Sequence, residues 1–477
     1  MPINSLLYPA NSAVAGGYDV DNSCRFDSAS SADLRISDYS GAGTSRRTRT
    51  YSMWIKRSEL SYAVIFGSSG KDHWVFTAGN KIQINIGSGT DSRRITDMVF
   101  RDVSAWYHIV FAYDTTQGTA SNRFTMWVNG AVATTSIVSG KNEVAQNEDA
   151  NVFINNDTST IASDEDSASY FDGYMAEWVF VDGQKLDADS FGEYDSDSGI
   201  WKPIDVSGIT LGTNGFYLNF QTASDLGIDA GNDNDFEPTN LTAIDQSTDT
   251  CTNNFATVSP LVVIGNTGQT YADGNLTFNA SSTNWTATNS TIGASSGKWY
   301  AEFKVVTLAS STGYGHVGIT GTEGITAGNF VSTDANSVGV TLDYRGSGQT
   351  YLYSAGSSVQ VAGVAFSAGA IMGIAVDMDN KKFYLSQNGT YLTVGGNVGN
   401  PTSGSTGTGS LAIPAGIETF LFGLGGYSTS FKGTWNFGSP SYAISSGNAD
   451  ANGYGNFEYA VPSGYYSLNT KNLGEFG

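Results

Sequence analysis

The chain has 477 residues, too many for one small core and enough for two or three domains. Its 45 acidic against 23 basic residues give a formal charge of −22, which argues against a nucleic-acid surface, since phosphate binding draws on clustered Lys and Arg. Charged residues are only 14%, hydrophobic ones 40%, and 58 Gly stand beside 25 Tyr and 25 Phe; this is the composition of short strands and tight turns, and it disfavours long helices and disorder.

Residues 1–23 read as an N-terminal arm. They lack a basic region followed by an apolar core, so no secretory signal is expected, and no run along the chain reaches the roughly 18–20 apolar residues that membrane insertion needs. From residue 24 to 220 the pattern has period two, broken by Gly, Asn and Asp turns. Arg46, Arg47 and Arg49 precede a strand and are expected to form its solvated entrance. In Tyr51–Lys56, alternation sets Tyr51, Met53 and Ile55 on one face and Trp54 and Lys56 on the other. Trp106–Asp114 is apolar on both faces, as in a central strand. Phe124, Met126 and Val128 point inward and lead to Asn129-Gly130, the dipeptide suited to a type I′ hairpin. The two cysteines, Cys24 and Cys251, form no C-x-x-C pattern; free thiols in a reducing cytosol are expected, with a disulfide between them as the alternative.

Residues 221–275 lose this periodicity and read as an ordered connector. The run Asp229, Asn232, Asp233, Asn234 and Asp235 has oxygen donors suited to Ca²⁺, although it lacks the Glu and helices of an EF-hand; a solvated turn-rich loop explains the same residues. Asp157 with Asp164 and Asp166 is a second candidate, and no cofactor is otherwise required. Strand patterning resumes over 276–445, where Lys382–Thr390 repeats the hairpin device at Asn388-Gly389. Residues 446–477 form a Gly-, Asn- and Tyr-rich tail, aromatic enough to dock on the body or on a partner. The fold class is therefore all-β: two antiparallel β-sandwiches joined by an ordered connector.

Residues 24–220 resemble the concanavalin A-like, laminin-G-like jelly rolls through "SMWIKR", "WYHIVFAYD", "RFTMWVNG" and "YFDGYMAEWVFVDGQKLDADSFGE". The resemblance implies that the strand holding Gly173, Met175, Ala176 and Glu177 returns beside the first to close the sandwich. Residues 297–438 resemble a SPRY-type sandwich through "GKWYAEFKV", "GHVGIT", "VGVTLDY", "GIAVDMDNKKFYLSQNG" and "FLFGLGGYSTSFKGTWNFG". Taken in order with "GIWKPIDVSG", "GTNGFYLNF", "CTNNFATVSPL" and "FEYAVPSGYYSLNTKNL", the whole resembles structural proteins of tailed phages, marine ones especially. That resemblance implies a virion location after synthesis in the host cytoplasm, as tail fibre, receptor-binding component or capsid decoration. Its partners would be other virion proteins and host-surface polysaccharide, with a homo-oligomer, a trimer in a fibre.

Catalysis finds little support. His73, His108 and His316 make a Ser-His-Asp triad arithmetically available, but His108 and His316 sit within strands and read as structural. No strand carries the alternating carboxylates of a glycoside hydrolase, and the consecutive Asp164, Glu165 and Asp166 cannot share a strand face. The chain is therefore expected not to be an enzyme, with a virion-associated glycan hydrolase or a purely architectural cement protein as alternatives. Contact with a glycan or partner is expected at Trp54, Trp74 and Trp127; parity points Trp54 and Trp127 off the core, where cover by the connector, the tail or another subunit is the competing reading. In the SPRY-like domain the expected rim residues are Tyr344, Arg345, Tyr351 and Tyr353.

Overall fold

The computed structural model describes residues 17–477, apart from 38, 40, 42, 69–71, 88–91, 165–168, 266–267, 281–284, 309–313, 323–333, 344–349, 362–363 and 428–430. It divides into two units, one ending at Asn254 and the other running from Phe255 to Gly477. Both are all-β sandwiches; among the described residues the α-helix is Thr470–Phe476, and no helix is long and apolar enough to cross a membrane.

In the first unit, one sheet runs in the order Ala131–Val132, Phe124–Val128, Tyr107–Asp114, Thr48–Arg57, Gly173–Asp182, Ser23–Phe26, Gln246–Ser247, with Phe216–Leu218 also paired to Gly173–Asp182. The facing sheet runs Thr135–Ile137, Ser92–Thr96, Ile82–Ile86, His73–Phe76, Ala63–Ser68, Ser159–Ile161, Asp33–Ile36, Glu237–Thr239. The strand Gly173–Asp182 does lie beside the first strand, with Cys24 opposite Met175, and on its other side pairs with Thr48–Arg57. Period-two alternation places Tyr51, Met53, Ile55, Ile109, Phe111, Tyr113, Phe124, Met126 and Val128 in the core between the sheets.

The residues between the sandwiches form no separate body. Glu237–Thr239 and Gln246–Ser247 supply an edge strand to each sheet of the first unit, whereas Ile264–Gly265 and Thr270–Ala272 do so in the second. Unpaired edge N–H and C=O groups favour such additions, and short polar strands can supply them without an alternating signature.

The second unit stacks the sheet Ile264–Gly265, Trp285–Ala294, Phe420–Tyr427, Tyr314–Gly321, Ser337–Asp343, Thr350–Ser354, Ser357–Val361 on a sheet centred on Phe431–Asn436, Lys298–Leu308 and Ile371–Asp377. Its core holds Trp299, Phe303, Val317, Ile374, Phe422 and Trp435. The tail docks here. Tyr466–Ser467 pairs in parallel with Lys298–Leu308, and Phe457 and Tyr465 bury themselves on Tyr300, Ala375 and Tyr384.

Both hairpins have the expected turn. Asn129 and Gly130 have φ of 48° and 78°, and Asn388 and Gly389 have 47° and 79°. Each Asn also grips the neighbouring strand twice. Asn129 donates its N–H to His108 O at 2.9 Å and accepts from His108 N at 2.8 Å, while Asn388 does the same with Ile371 O and N at 2.8 and 2.9 Å.

Arg49 corrects the expectation of a solvated strand entrance. It lies inside the strand, is fully buried, donates to Ser45 O and Val152 O, and stacks its guanidinium 5.1 Å from the Phe180 ring. A planar cation with rigid donors can be buried when carbonyl oxygens and a π-face receive it. Arg47, by contrast, stays half exposed beside Asp149.

Candidate ligand-binding site

The sheet face that points away from the first core is also covered. Trp54, Trp106, Val110, Tyr174, Ala176, Val179 and Val181 lie under Val20, Phe191, Trp201, Val206, Leu211, Tyr217 and Cys251. Polar anchors hold this cover. Lys56 Nζ lies 2.7 Å from Asp249 Oδ2 and 2.7 Å from Asn254 Oδ1, and Trp106 Nε1 donates to Asp249 Oδ1 at 3.1 Å. Thr252 fastens the arm through Val20 N and O at 3.0 and 3.1 Å.

The strand Gly173–Asp182 is irregular beneath this cover. One residue, Met53, separates Trp54 from Ser52, whereas two, Glu177 and Trp178, separate their partners Ala176 and Val179. This is a β-bulge, and it shifts the alternation by one: Met175 faces the core before it, Trp178 and Phe180 after it. The inserted residue, Glu177, has a left-handed φ of 48°, which costs a non-glycine residue about 1–2 kcal/mol. Such strain persists where the surroundings hold it and concentrates at functional sites.

Here the surroundings are phenols. Tyr217 donates to Glu177 Oε2 at 2.7 Å, Tyr18 approaches the same oxygen at 3.4 Å, and the two hydroxyls are 3.2 Å apart. Glu177 is 5% exposed. Burial pushes its carboxyl up to about 7, against the bonds from Tyr217 and Tyr18 and with the help of the Asp205 and Asp21 charges. Burial and the Glu177 charge also push the Tyr217 phenol far up, so it remains a donor while the carboxyl exchanges its proton near neutrality.

Beside this trio opens a cavity of about 330 Å³ whose wall includes Tyr18, Tyr217, Asp205, Asn219, Asn232 and Leu211. Glu177 is not a wall residue; it positions the phenols. Asn219 spends its Oδ1 on Gln221 N, keeping its amide donors, whereas Asn232 spends its Nδ2 on Gly212 O and Gly215 O, keeping its acceptor. The Ser207 N–H holds the exposed Asp205 carboxyl below the usual range. Ring faces, an apolar side chain, a carboxylate and free amide groups together suit a small polyhydroxylated ring.

The residues expected from sequence fall elsewhere. Trp74 is fully buried in the core, 4.2 Å from the parallel Phe66 ring. Trp54 is 1% exposed and stacks on His108 at 4.8 Å. Neither ring has a face open to a sugar, which corrects their assignment as contact residues: Trp74 faces the core, and the cover closes over Trp54. Trp127 is half-buried against the same cover. Tyr351 and Tyr353 are half-buried on Thr350–Ser354, while Tyr344 and Arg345 lie outside the described residues.

The acidic loop has an internal use. Asp229 receives Tyr217 N and Gly231 N on Oδ1 at 2.7 and 2.8 Å, and Asn232 N and Asn234 N on Oδ2, both at 2.9 Å. Asp235 Oδ1 accepts from Asp229 N at 2.8 Å, and Asp233 is an exposed turn residue at φ 58°. The Asp229 carboxylate thus folds the cavity wall. Asp157 accepts from Ser68 Oγ at 3.2 Å, and Asp166 lies outside the described residues. Among the described residues no group of three His, Cys, Asp or Glu side chains could hold a metal ion.

Cys24 faces the core and Cys251 the cover, on opposite sides of one sheet, and both are free thiols. Ser52 and His108 do meet, at 2.9 Å, but Trp201 Nε1, which can only donate, occupies His108 Nδ1 at 2.9 Å. The proton therefore sits on Nε2 and points at Ser52, the reverse of what a general base needs. Burial also drives His108 down to about 3.

Residues 28–189 match the family model of the concanavalin A-like lectin/glucanases superfamily. Of the cavity trio only Glu177 falls within that span. No curated protein matches the chain. Among solved structures, the SPRY domain of human HERC1 is 14% identical, over 37% of this chain and 96% of that one, with a TM-score of 0.27. A provisionally assigned carbohydrate binding protein from Bacteroides ovatus is 13% identical over 47% and 61%, with a TM-score of 0.33. A native heptameric SAP-like pentraxin from Limulus polyphemus is 14% identical over 36% and 80%, with a TM-score of 0.25. Likeness at this level says nothing of ligand.

Proposed function

We propose that the chain is a non-enzymatic binding protein of a tailed-phage virion, and that the Tyr18–Tyr217 cavity takes a neutral sugar ring of a host-surface glycan. The cavity carries this reading: a strained Glu177 holds two phenols beside free amide donors and acceptors, on a sandwich matching a lectin-type family model. The order of motifs along the chain supports the virion assignment, as tail fibre, receptor-binding component or capsid decoration, with neighbouring virion proteins as further partners. Adhesion would gather strength from weak contacts multiplied by copy number. Ca²⁺ has no part in this reading.

Glu177 and Asp205, one carboxyl raised and the other lowered, favour a second reading as a glycan hydrolase. Glu177 stands behind the phenols, however, which supports the binding reading. Incubating purified chain with host surface polysaccharide separates the two. Retention of polysaccharide without new reducing ends is expected; released reducing ends would establish the hydrolase. Antibody labelling of intact particles tests the virion assignment, which fails if particles carry no label.

A further inference from the structure

On the outer face of the second sandwich, Lys298–Leu308 and Phe431–Asn436 run side by side with Lys304 opposite Thr434. Lys432 lies two residues before Thr434, so the two lysines are diagonal neighbours on one face while Phe303 and Val305 enter the core. Thr277 joins Thr434 through hydroxyls 2.8 Å apart, and Lys304 Nζ sits 4.5 Å above the Tyr442 ring. A cavity of about 330 Å³ collects these groups with Asp273 and Ser441.

Several other lysines are already engaged. Lys56, Lys202 and Lys298 have carboxylate partners, and Lys185 and Lys381 donate to carbonyls. Neither Lys304 nor Lys432 makes an ion pair or hydrogen bond among the described residues. The wall's one carboxylate, Asp273, is engaged by Thr277 Oγ1 at 2.5 Å. The Ser445 hydroxyl and N–H, with a smaller part from the Lys304 charge, hold the Glu458 carboxyl below its ordinary value, and its oxygens are bonded to Ser445. Ser441 Oγ is buried there without a partner. Two adjacent ammonium groups repel unless an anion lies between them, and an unmatched buried hydroxyl has a cost that a ligand can relieve.

We infer that this face is a separate binding site for one oxyanion, a carboxylate or sulfate group, held by Lys304 and Lys432 with the Ser441 hydroxyl as the further donor. A chain of charge −22 repels long polyanions, so the ligand is a single anionic group, free or borne on one sugar. The site lies in the second unit and stands independently of the sugar cavity in the first.

The test is calorimetric titration of the full chain at low ionic strength with sodium sulfate, with sodium glucuronate and with glucose. Sulfate is expected to bind, and Lys304→Gln or Lys432→Gln to weaken it at least ~tenfold, a loss of about 1.4 kcal/mol. Lys185→Gln, in the other unit, should bind as wild type, and circular dichroism checks that each variant folds. Glucuronate bound more tightly than sulfate points to a sugar-borne carboxylate; equal binding points to a free oxyanion. No heat from either anion, or undiminished binding by both lysine variants, overturns the inference. Glucose binding that survives in these variants leaves the first cavity's reading untouched.

Discussion

Each sandwich covers one outer sheet face with chain from outside its core strands, but the two covers are fastened differently. In the first unit the fasteners are a buried ion pair, Lys56–Asp249, and a ring-to-ring bond, Trp201–His108. In the second they are carboxylates receiving N–H and O–H groups: Glu302 takes Glu458 N and Tyr459 N at 3.0 and 2.7 Å, and Asp450 takes Ser467 N, Ser467 Oγ and Asn472 Nδ2 within 2.9 Å. Backbone donors satisfy a carboxylate at little geometric cost and clamp the tail in one path. A buried cation–anion pair instead depends on both members, so the first cover has more to lose from one substitution.

The largest expected difference comes from breaking that pair. Asp249→Ala leaves the buried Lys56 without its counter-charge and should cost about 3–5 kcal/mol. Hydrogen exchange should show Thr48–Arg57 losing protection while Lys298–Leu308 keeps its own.

Next comes pH. Glu177 and Asp72 are held above their ordinary values by burial, at about 7 and about 6. Folding therefore takes up protons, and these two groups favour the fold most below about pH 4, with that contribution lost as pH rises through the folded values. The histidines act oppositely but once per unit: His108 and His316 both fall to about 3, so each unit loses stability as pH drops from about 6.5 towards 3. Glu177→Gln should raise the first unit's stability at pH 8 by about 3 kcal/mol and leave it nearly unchanged at pH 4, as read by urea denaturation.

Trp201→Phe keeps the ring but removes the donor to His108 Nδ1. A loss of about 1–3 kcal/mol is expected, and the His108 imidazole resonance should shift in NMR spectra.

The smallest effect should be the most even. Asn129→Ala and Asn388→Ala each remove a residue at ease in the left-handed region and an identical side-chain bond, at about 1–2 kcal/mol. Matching losses in thermal denaturation of the two variants would show that the hairpin is one device used twice.

The strands, their inward faces and both hairpins were legible because burial on one face writes period two into the sequence. The edge strands at Glu237–Thr239 and Gln246–Ser247 were not, since a short edge needs no alternation. Trp54 and Trp127 were correctly set off the core by parity, but parity cannot say whether an outer face meets solvent or a second layer. The cavity was hidden because Tyr18, Glu177 and Tyr217 are far apart in the chain. One trace of it existed: in Met175-Ala-Glu-Trp178 the inward residues are three apart instead of two, the mark of a bulge.

The most direct test of the sugar cavity is a glycan array probed with the full chain and with Tyr18→Ala and Asn219→Ala variants. Wild type should retain at least one class of neutral glycan, and both variants should lose about tenfold in affinity while keeping their circular dichroism. Retention undiminished in both variants, or no neutral glycan bound by wild type, would contradict the account.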